Sequence, residues 1–164
     1  MGKNSNFMAA RNYDECKSDT LDDIKFDVAD KGEVRFYKSG EFIYAAGTKK
    51  TDKSGIYVWN NKHGKGFISK KVMNVTGQRK EFKIYAEQER LIIGIVSREE
   101  NQDIFNFYYS PDAGKTFEHC TSRGPFTKII DFNVLFEPEA DREVVARIFI
   151  RKKDGVGVIA ARWW

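Results

Sequence analysis

The run Ile104-Phe105-Asn106-Phe107-Tyr108-Tyr109 passes directly into Ser110-Pro111-Asp112-Ala113-Gly114-Lys115-Thr116-Phe117. In Asn106-Phe107-Tyr108 polar and apolar residues alternate, the period-two signature of a half-buried strand. Pro, Asp and Gly within the next five residues mark a tight turn. The short β-rich run Thr116–Cys120 beyond it predicts the returning strand. The same grammar extends outward in both directions. Runs at Val34–Tyr37, Phe42–Ala46, Ile56–Trp59, Phe67–Lys71, Phe82–Tyr85 and Leu91–Ser97 precede this hairpin, and Ile129–Phe136, Val144–Ile150 and Val156–Ala160 follow it. They are short, rich in Val, Ile, Phe and Tyr, and bounded by Gly, Asn, Asp or Lys. A turn near Ser18–Asp23 is the only helical signal. The chain is expected to be all-β.

Composition supports a packed domain. The 164 residues allow one compact unit, and 41% of them are hydrophobic. The 13 Phe, 7 Tyr and 3 Trp are ample for a core, since each buried aromatic removes roughly 150–250 Å² from water. No window is apolar enough for a membrane-spanning helix, so no membrane span is expected. The net charge is +4, with both signs interspersed. Nucleic-acid binders concentrate their excess on one patch, whereas Lys49–Lys50–Lys53, Lys70–Lys71 and Arg151–Lys152–Lys153 fall at turns and strand ends, so no nucleic-acid partner is expected.

The strands also repeat. Shifted by about 50 residues, Phe42-Ile43-Tyr44-Ala45-Ala46-Gly47 falls on Ile92-Ile93-Gly94-Ile95-Val96-Ser97. Ile56-Tyr57-Val58-Trp59 falls on Asn106-Phe107-Tyr108-Tyr109, and Gly64-Lys65-Gly66-Phe67 on Gly114-Lys115-Thr116-Phe117. A third copy starts at Glu143, with Val144-Val145-Ala146-Arg147-Ile148-Phe149-Ile150. This spacing, with four strands per unit, is that of a β-propeller blade. It predicts an N-terminal arm over 1–19 and a single all-β domain over 20–164, divided at about 20–69, 70–121 and 122–164 into three four-stranded blade-like units. Three blades do not close the usual ring of about 4–8. The partial propeller is therefore open, completed by a second copy or another partner, or collapsed into a sandwich.

Ser110, Asp112, Gly114, Thr116 and Phe117 fill every defined position of an S-x-D-x-G-x-T-W/F pattern. An Asp at the third position bonds the backbone of its own turn, Gly at the fifth permits positive φ, and the hydroxyls satisfy the remaining polar groups. The segment resembles the Asp-box of BNR-repeat, sialidase-type β-propellers. That resemblance implies a structural role for these five residues, away from any catalytic centre. The corresponding turn in the preceding unit, Asn60 to Phe67, keeps Gly64 and Phe67 but has lost the Asp and Thr.

Catalytic constellations are weak, and no enzyme is expected. A sialidase of that type needs an arginine triad with a Tyr–Glu nucleophile pair, and the ten arginines here sit in no matching motif. His119 and Cys120 are adjacent, so in a strand they point to opposite faces. Glu99–Glu100 and Glu137–Glu139 read as solvated turns. Neither His63 nor His119 has metal-ligand spacing, so no metal or other cofactor is expected. Cys16 and Cys120 are either two buried thiols or one candidate disulfide pinning the arm; such a closure stabilises by roughly 4–5 kcal/mol in the chain-entropy model. Asn74-Val75-Thr76 matches a glycosylation triplet. No apolar stretch follows Met1-Gly2-Lys3-Asn4, which fits a cytoplasmic chain or a mature secreted one.

A second resemblance is architectural. In size, partial-propeller repeat, protruding polar turn and cysteine pair the chain resembles the immunity proteins of type VI secreted peptidoglycan amidases. It implies a periplasmic, non-enzymatic inhibitor, with cytoplasm the alternative compartment, whose partner is a cognate toxin enzyme. Tyr109, Ser110, Pro111 and Asp112 would then form the loop inserted into the toxin's Cys–His cleft, Tyr109 as anchor and Ser110 offering its hydroxyl. Two rival classes stand beside it. One is a glycan-binding module using Trp59, Tyr108, Tyr109, Trp163 or Trp164 as platforms. The other is a structural homodimer of two fans pairing into a closed ring.

Overall fold

The computed structural model describes residues 27–28, 34–62, 68–75, 79–137 and 144–163. Eleven strands run through them: β1 Arg35–Ser39, β2 Phe42–Lys49, β3 Asp52–Lys62, β4 Ile68–Asn74, β5 Arg79–Glu87, β6 Arg90–Glu99, β7 Gln102–Ser110, β8 Glu118–Phe126, β9 Ile129–Phe136, β10 Val144–Lys152 and β11 Gly155–Trp163. Each corresponds to one strand expected from sequence. They form three antiparallel meanders, ordered β1-β2-β3-β4, β5-β6-β7-β8 and β11-β10-β9. The chain is all-β, with sheets of four, four and three strands.

The largest departure is β8. Sequence placed it at Thr116–Cys120, but it runs from Glu118 to Phe126. Thr116 is held in the preceding turn, while the strand continues along the sheet edge, where Pro125 has no inner donor to lose. The sheets divide within 75–78 and at 127–128, so the expected divisions at 69/70 and 121/122 fall inside β4 and β8. The N-terminal arm, the Ser18–Asp23 turn and Cys16 lie outside the described residues.

The second sheet is the middle layer. Every residue of β6 from Leu91 to Ser97 is buried, on both faces. Leu91, Ile93 and Ile95 join Tyr44, Ile56 and Val58 of the first sheet in one core. Ile92 and Val96, with Phe105, Phe107 and Tyr109 of β7, meet Phe132, Val134 and Ile148 of the third sheet in another. A strand covered on both sides needs no polar face, which is why this run is almost continuously apolar. The first strands of the three sheets lie side by side, β1 against β5 and β5 against β9. Each contributes one ring to a chain of aromatic contacts, Tyr37 to Tyr85 at 5.5 Å and Tyr85 to Phe136 at 5.6 Å.

Gly94 lets the second and third sheets approach. A Cβ there would stand 2.9 Å from Val134 Cγ1 and 3.1 Å from ring carbons of Phe105 and Phe132. Gly94→Ala should therefore overpack this layer and destabilise by about 1–3 kcal/mol, read as a lower urea midpoint with an unchanged slope.

Two polar clamps fix the stack. Asp103 is fully buried; it accepts hydrogen bonds from Arg98 Nη1 at 2.9 Å and from the Ile129 amide at 2.7 Å. Arg98 also donates to the carbonyls of Asn101 and Thr127, so one ion pair gathers the β6–β7 turn and the entry to β9. At the opposite side, Asp27 accepts from Trp59 Nε1 at 2.8 Å, its carbonyl accepts from the Lys50 amide, and Val28 bridges to Lys49. This contact lies on the outer face of the first sheet.

Candidate functional site

The Asp-box turn leaves β7 at Ser110. The Ser110 hydroxyl donates to Asp112 Oδ1 at 2.8 Å and accepts from the Gly114 amide at 2.8 Å. Asp112 Oδ1 accepts from the Thr116 amide at 2.9 Å, and Oδ2 accepts from Thr116 Oγ1 at 2.6 Å. Gly114 has φ +83°, the conformation that position needs, and Phe117 packs against the core between the first and second sheets. Burial raises the Asp112 pKa, but the hydrogen bonds from Thr116 and Ser110 outweigh it, and the carboxyl sits below its usual range.

The turn is bolted to its neighbours. Ala113 takes φ +61°, an uncommon conformation for a residue with a Cβ. It is held there because its amide donates to the Glu89 carbonyl at 2.7 Å while its carbonyl accepts from Asn60 Nδ2. The β5–β6 turn is fixed in the same way: the Gln88 amide donates to Ser39 Oγ at 2.8 Å, and its carbonyl accepts from the Tyr44 hydroxyl at 2.6 Å. Burial holds the Tyr44 phenol far above its ordinary pKa, so it stays a donor. Three turns, β1–β2, β5–β6 and β7–β8, thus form one interlocked end. Their backbone partners are distant in sequence, and only the Gly and Asp turn residues hinted at them.

Burial corrects part of the expected loop. Tyr109 is only 2% exposed, its ring packed 5.4 Å from Trp163 and edge-on to Phe136, so it is a core residue and not a surface anchor. Ser110 is buried with its hydroxyl spent inside the turn. Both oxygens of the half-buried Asp112 are engaged, leaving Pro111 exposed at the tip, with Lys115 and Thr116 exposed behind it. The candidate sugar platforms fare similarly. Trp59 is 1% exposed, Tyr108 is half-buried against His119 at 4.8 Å, and Trp163 is half-buried on Tyr109. Trp164 lies outside the described residues.

A polar cluster that sequence reasoning missed lies on β7 and β8. Ser122 Oγ stands 3.2 Å from His119 Nε2, and both face Asn106 Oδ1, His119 at 2.9 Å. The register slip at Phe107/Tyr108 brings His119 and Ser122 to one face, which no spacing rule reveals. It does not form a nucleophile–base pair. The one hydroxyl proton of Ser122 is donated to Asn106 Oδ1 and so is not directed at the imidazole. Cys120, beside them, is a free thiol, pushed up to about 12 by burial and by the Glu118 charge, and stays protonated at neutral pH. Among the described residues no three His, Cys, Asp or Glu side chains gather to hold a metal ion.

No family model, curated protein or solved structure matches the chain.

Proposed function

We propose that this chain is a non-enzymatic protein-binding inhibitor that docks through the interlocked turn end. One observation carries the reading: three turns from two sheets are cross-bonded through Ser39, Gln88, Glu89 and Ala113, while Pro111, Lys115 and Thr116 remain exposed on them. Turns already fixed in place lose little freedom on binding, so more of the contact energy survives as affinity. Loops on a rigid scaffold are also where recognition concentrates.

The finer reading makes the partner a secreted peptidoglycan amidase, blocked with Pro111 foremost across the mouth of its Cys–His cleft, and the compartment the periplasm. Support for that step is the architectural resemblance. Its test is a titration of a secreted Cys–His peptidoglycan amidase, chosen from the neighbouring genes where one of them encodes such an enzyme, followed by hydrolysis of peptidoglycan. Wild-type protein should abolish turnover at stoichiometric amounts. Pro111→Arg combined with Lys115→Glu should weaken inhibition by about tenfold or more, the usual cost of an interface-centre change, with thermal stability unchanged. Undiminished turnover with the wild-type protein would remove the amidase. Undiminished inhibition by the double variant would remove the turn end.

A further inference from the structure

The outer edges of the three sheets are built differently. β4 carries the exposed lysines Lys70 and Lys71, and its pairing with β3 slips at Ile56/Tyr57. β8 carries Pro125, and its pairing with β7 slips twice. Charges, prolines and bulges on an edge strand all discourage another strand from adding to it. β11, the edge of the third sheet, has none of the interruptions. It pairs with β10 over nine consecutive positions without a slip, contains no proline, and bears Arg162 as its one charge. Arg162 is already engaged with Glu137 at 3.5 Å.

The exposed residues of β11 on one face, Val156, Val158 and Ala160, are apolar, while Arg151 lies opposite Val156 on β10. Val156 is 62% and Val158 59% exposed, and Ala160 is exposed next to them. One strand inward, on the same face, Phe149 lies opposite Val158 and Arg147 opposite Ala160. Among the described residues the third sheet also has one strand fewer than the other two.

We infer that two copies of this chain join β11 to β11, antiparallel about a two-fold axis at Ile159, into one continuous six-stranded sheet. The sequence of the strand fits its own reverse. In this register Val158 faces Ala160 of the other copy, Gly157 faces Ala161, Ile159 faces itself, and Arg162 faces Val156. Val158 meets the smaller Ala160, Ile159 meets its own β-branched copy, and no like charges stand directly opposite each other, an arrangement that cross-strand pairing tolerates. Each exposed Val158, already flanked by Phe149 of its own chain, gains cover from Ala160 of the other. On the opposite face the row becomes Ile148, Ile159, Ile159 and Ile148, extending the core of the third sheet. The lysines of the β10–β11 turn, Lys152 and Lys153, are carried to opposite ends of the joined sheet, where they do not repel one another. Such an interface is isologous and closes at two copies, and six strands lie within the ordinary range for a sheet. It uses a different part of the molecule from the turn end, and stands or falls independently of the inhibitor reading.

Sedimentation equilibrium of the full chain, with amide hydrogen exchange along β11, decides it. The wild type should show twice the 19.0 kDa chain mass at micromolar concentration, with protection of the alternate amides between Val156 and Arg162 that point away from β10. Val158→Lys brings a lysine from each copy into the joint, on the row that runs through Ala160 to Arg147 of the other. It should raise the dimer dissociation constant by about tenfold or more and release those amides, with unchanged circular dichroism. Val158→Thr, which keeps a β-branched strand residue, should weaken the dimer less and guards against a folding defect in the lysine variant. A wild type that stays monomeric overturns the proposal, as does a dimer indifferent to both variants. A monomer in which those outward amides are protected also overturns it, and assigns the covering strand to another segment of the same chain.

Discussion

Asp103→Ala is expected to cost about 3–5 kcal/mol, the usual consequence of removing one partner from a buried ion pair. Set against the about 5–15 kcal/mol that holds a typical domain together, this is a large share. For a chain of this size it corresponds to a fall of about 10 °C or more in Tm. The cause is local and specific. Asp103 has no exposed surface, its oxygens accept from Arg98 Nη1 and from the Ile129 amide, and Arg98 holds two further carbonyls. Alanine leaves the Ile129 amide buried without that acceptor and the Arg98 cation without its counter-charge. Asp103→Asn keeps an acceptor for the amide and loses only the charge, so its melt should fall between the two. Equal melts for the alanine variant and wild type would show that the clamp does not hold the sheets together.

Strand parity bears differently on Asp103 and Tyr109. Along β7, Asp103, Phe105, Phe107 and Tyr109 alternate onto one face, and the middle two are plainly core. Parity alone therefore places Tyr109 inside, against the reading of it as a surface anchor. It also places Asp103 inside, but what makes burial of a carboxylate tolerable there is an amide 26 residues away, and no local pattern encodes that. The strands themselves were legible because eleven apolar runs are each ended by turn residues. The double-sided burial of β6 was legible as an unbroken apolar run. The limits of β8 were not, since Thr116 has strand propensity yet is captured by Asp112, and the continuation to Phe126 passes through Gly and Pro that normally signal a stop. The box was visible as a motif, whereas its bonds to Glu89 and Asn60 depend on how two sheets stack.

That stacking links fold to proposed function. The first and second sheets meet through a core including Tyr44 and Leu91, and the same contact sets the separation at which Tyr44 reaches the Gln88 carbonyl. The docking end is thus as rigid as the core beneath it. A cavity made in that core should loosen the turns before it unfolds the domain.

Asp112→Ala should cost about 2–3 kcal/mol, because hydrogen bonds to a charged acceptor are each worth about 1.5–3 kcal/mol and the three made here act as a unit. Thr116, Ser110 and the turn backbone all lose their common acceptor. Asp112→Asn keeps the acceptor for the Thr116 amide and should cost less. The pH dependence separates charge from shape. The Asp112 carboxyl has a folded pKa below its unfolded value, so its contribution is complete above the unfolded value, near 3.9 for a free Asp, and is lost as pH falls through the folded one. Other carboxylates titrate in the same acid range. Asp52, held by Lys71, Tyr57 and the Gly55 amide, lies at about 2. The informative quantity is therefore the stability difference between wild type and Asp112→Asn, in which those groups cancel. Measured by urea unfolding from neutral pH downward, it should be constant to about pH 5 and shrink steadily below pH 4. A difference that does not change with pH would mean that Asp112 supports the turn through its shape alone, and that the charge contributes nothing to holding the docking end in place.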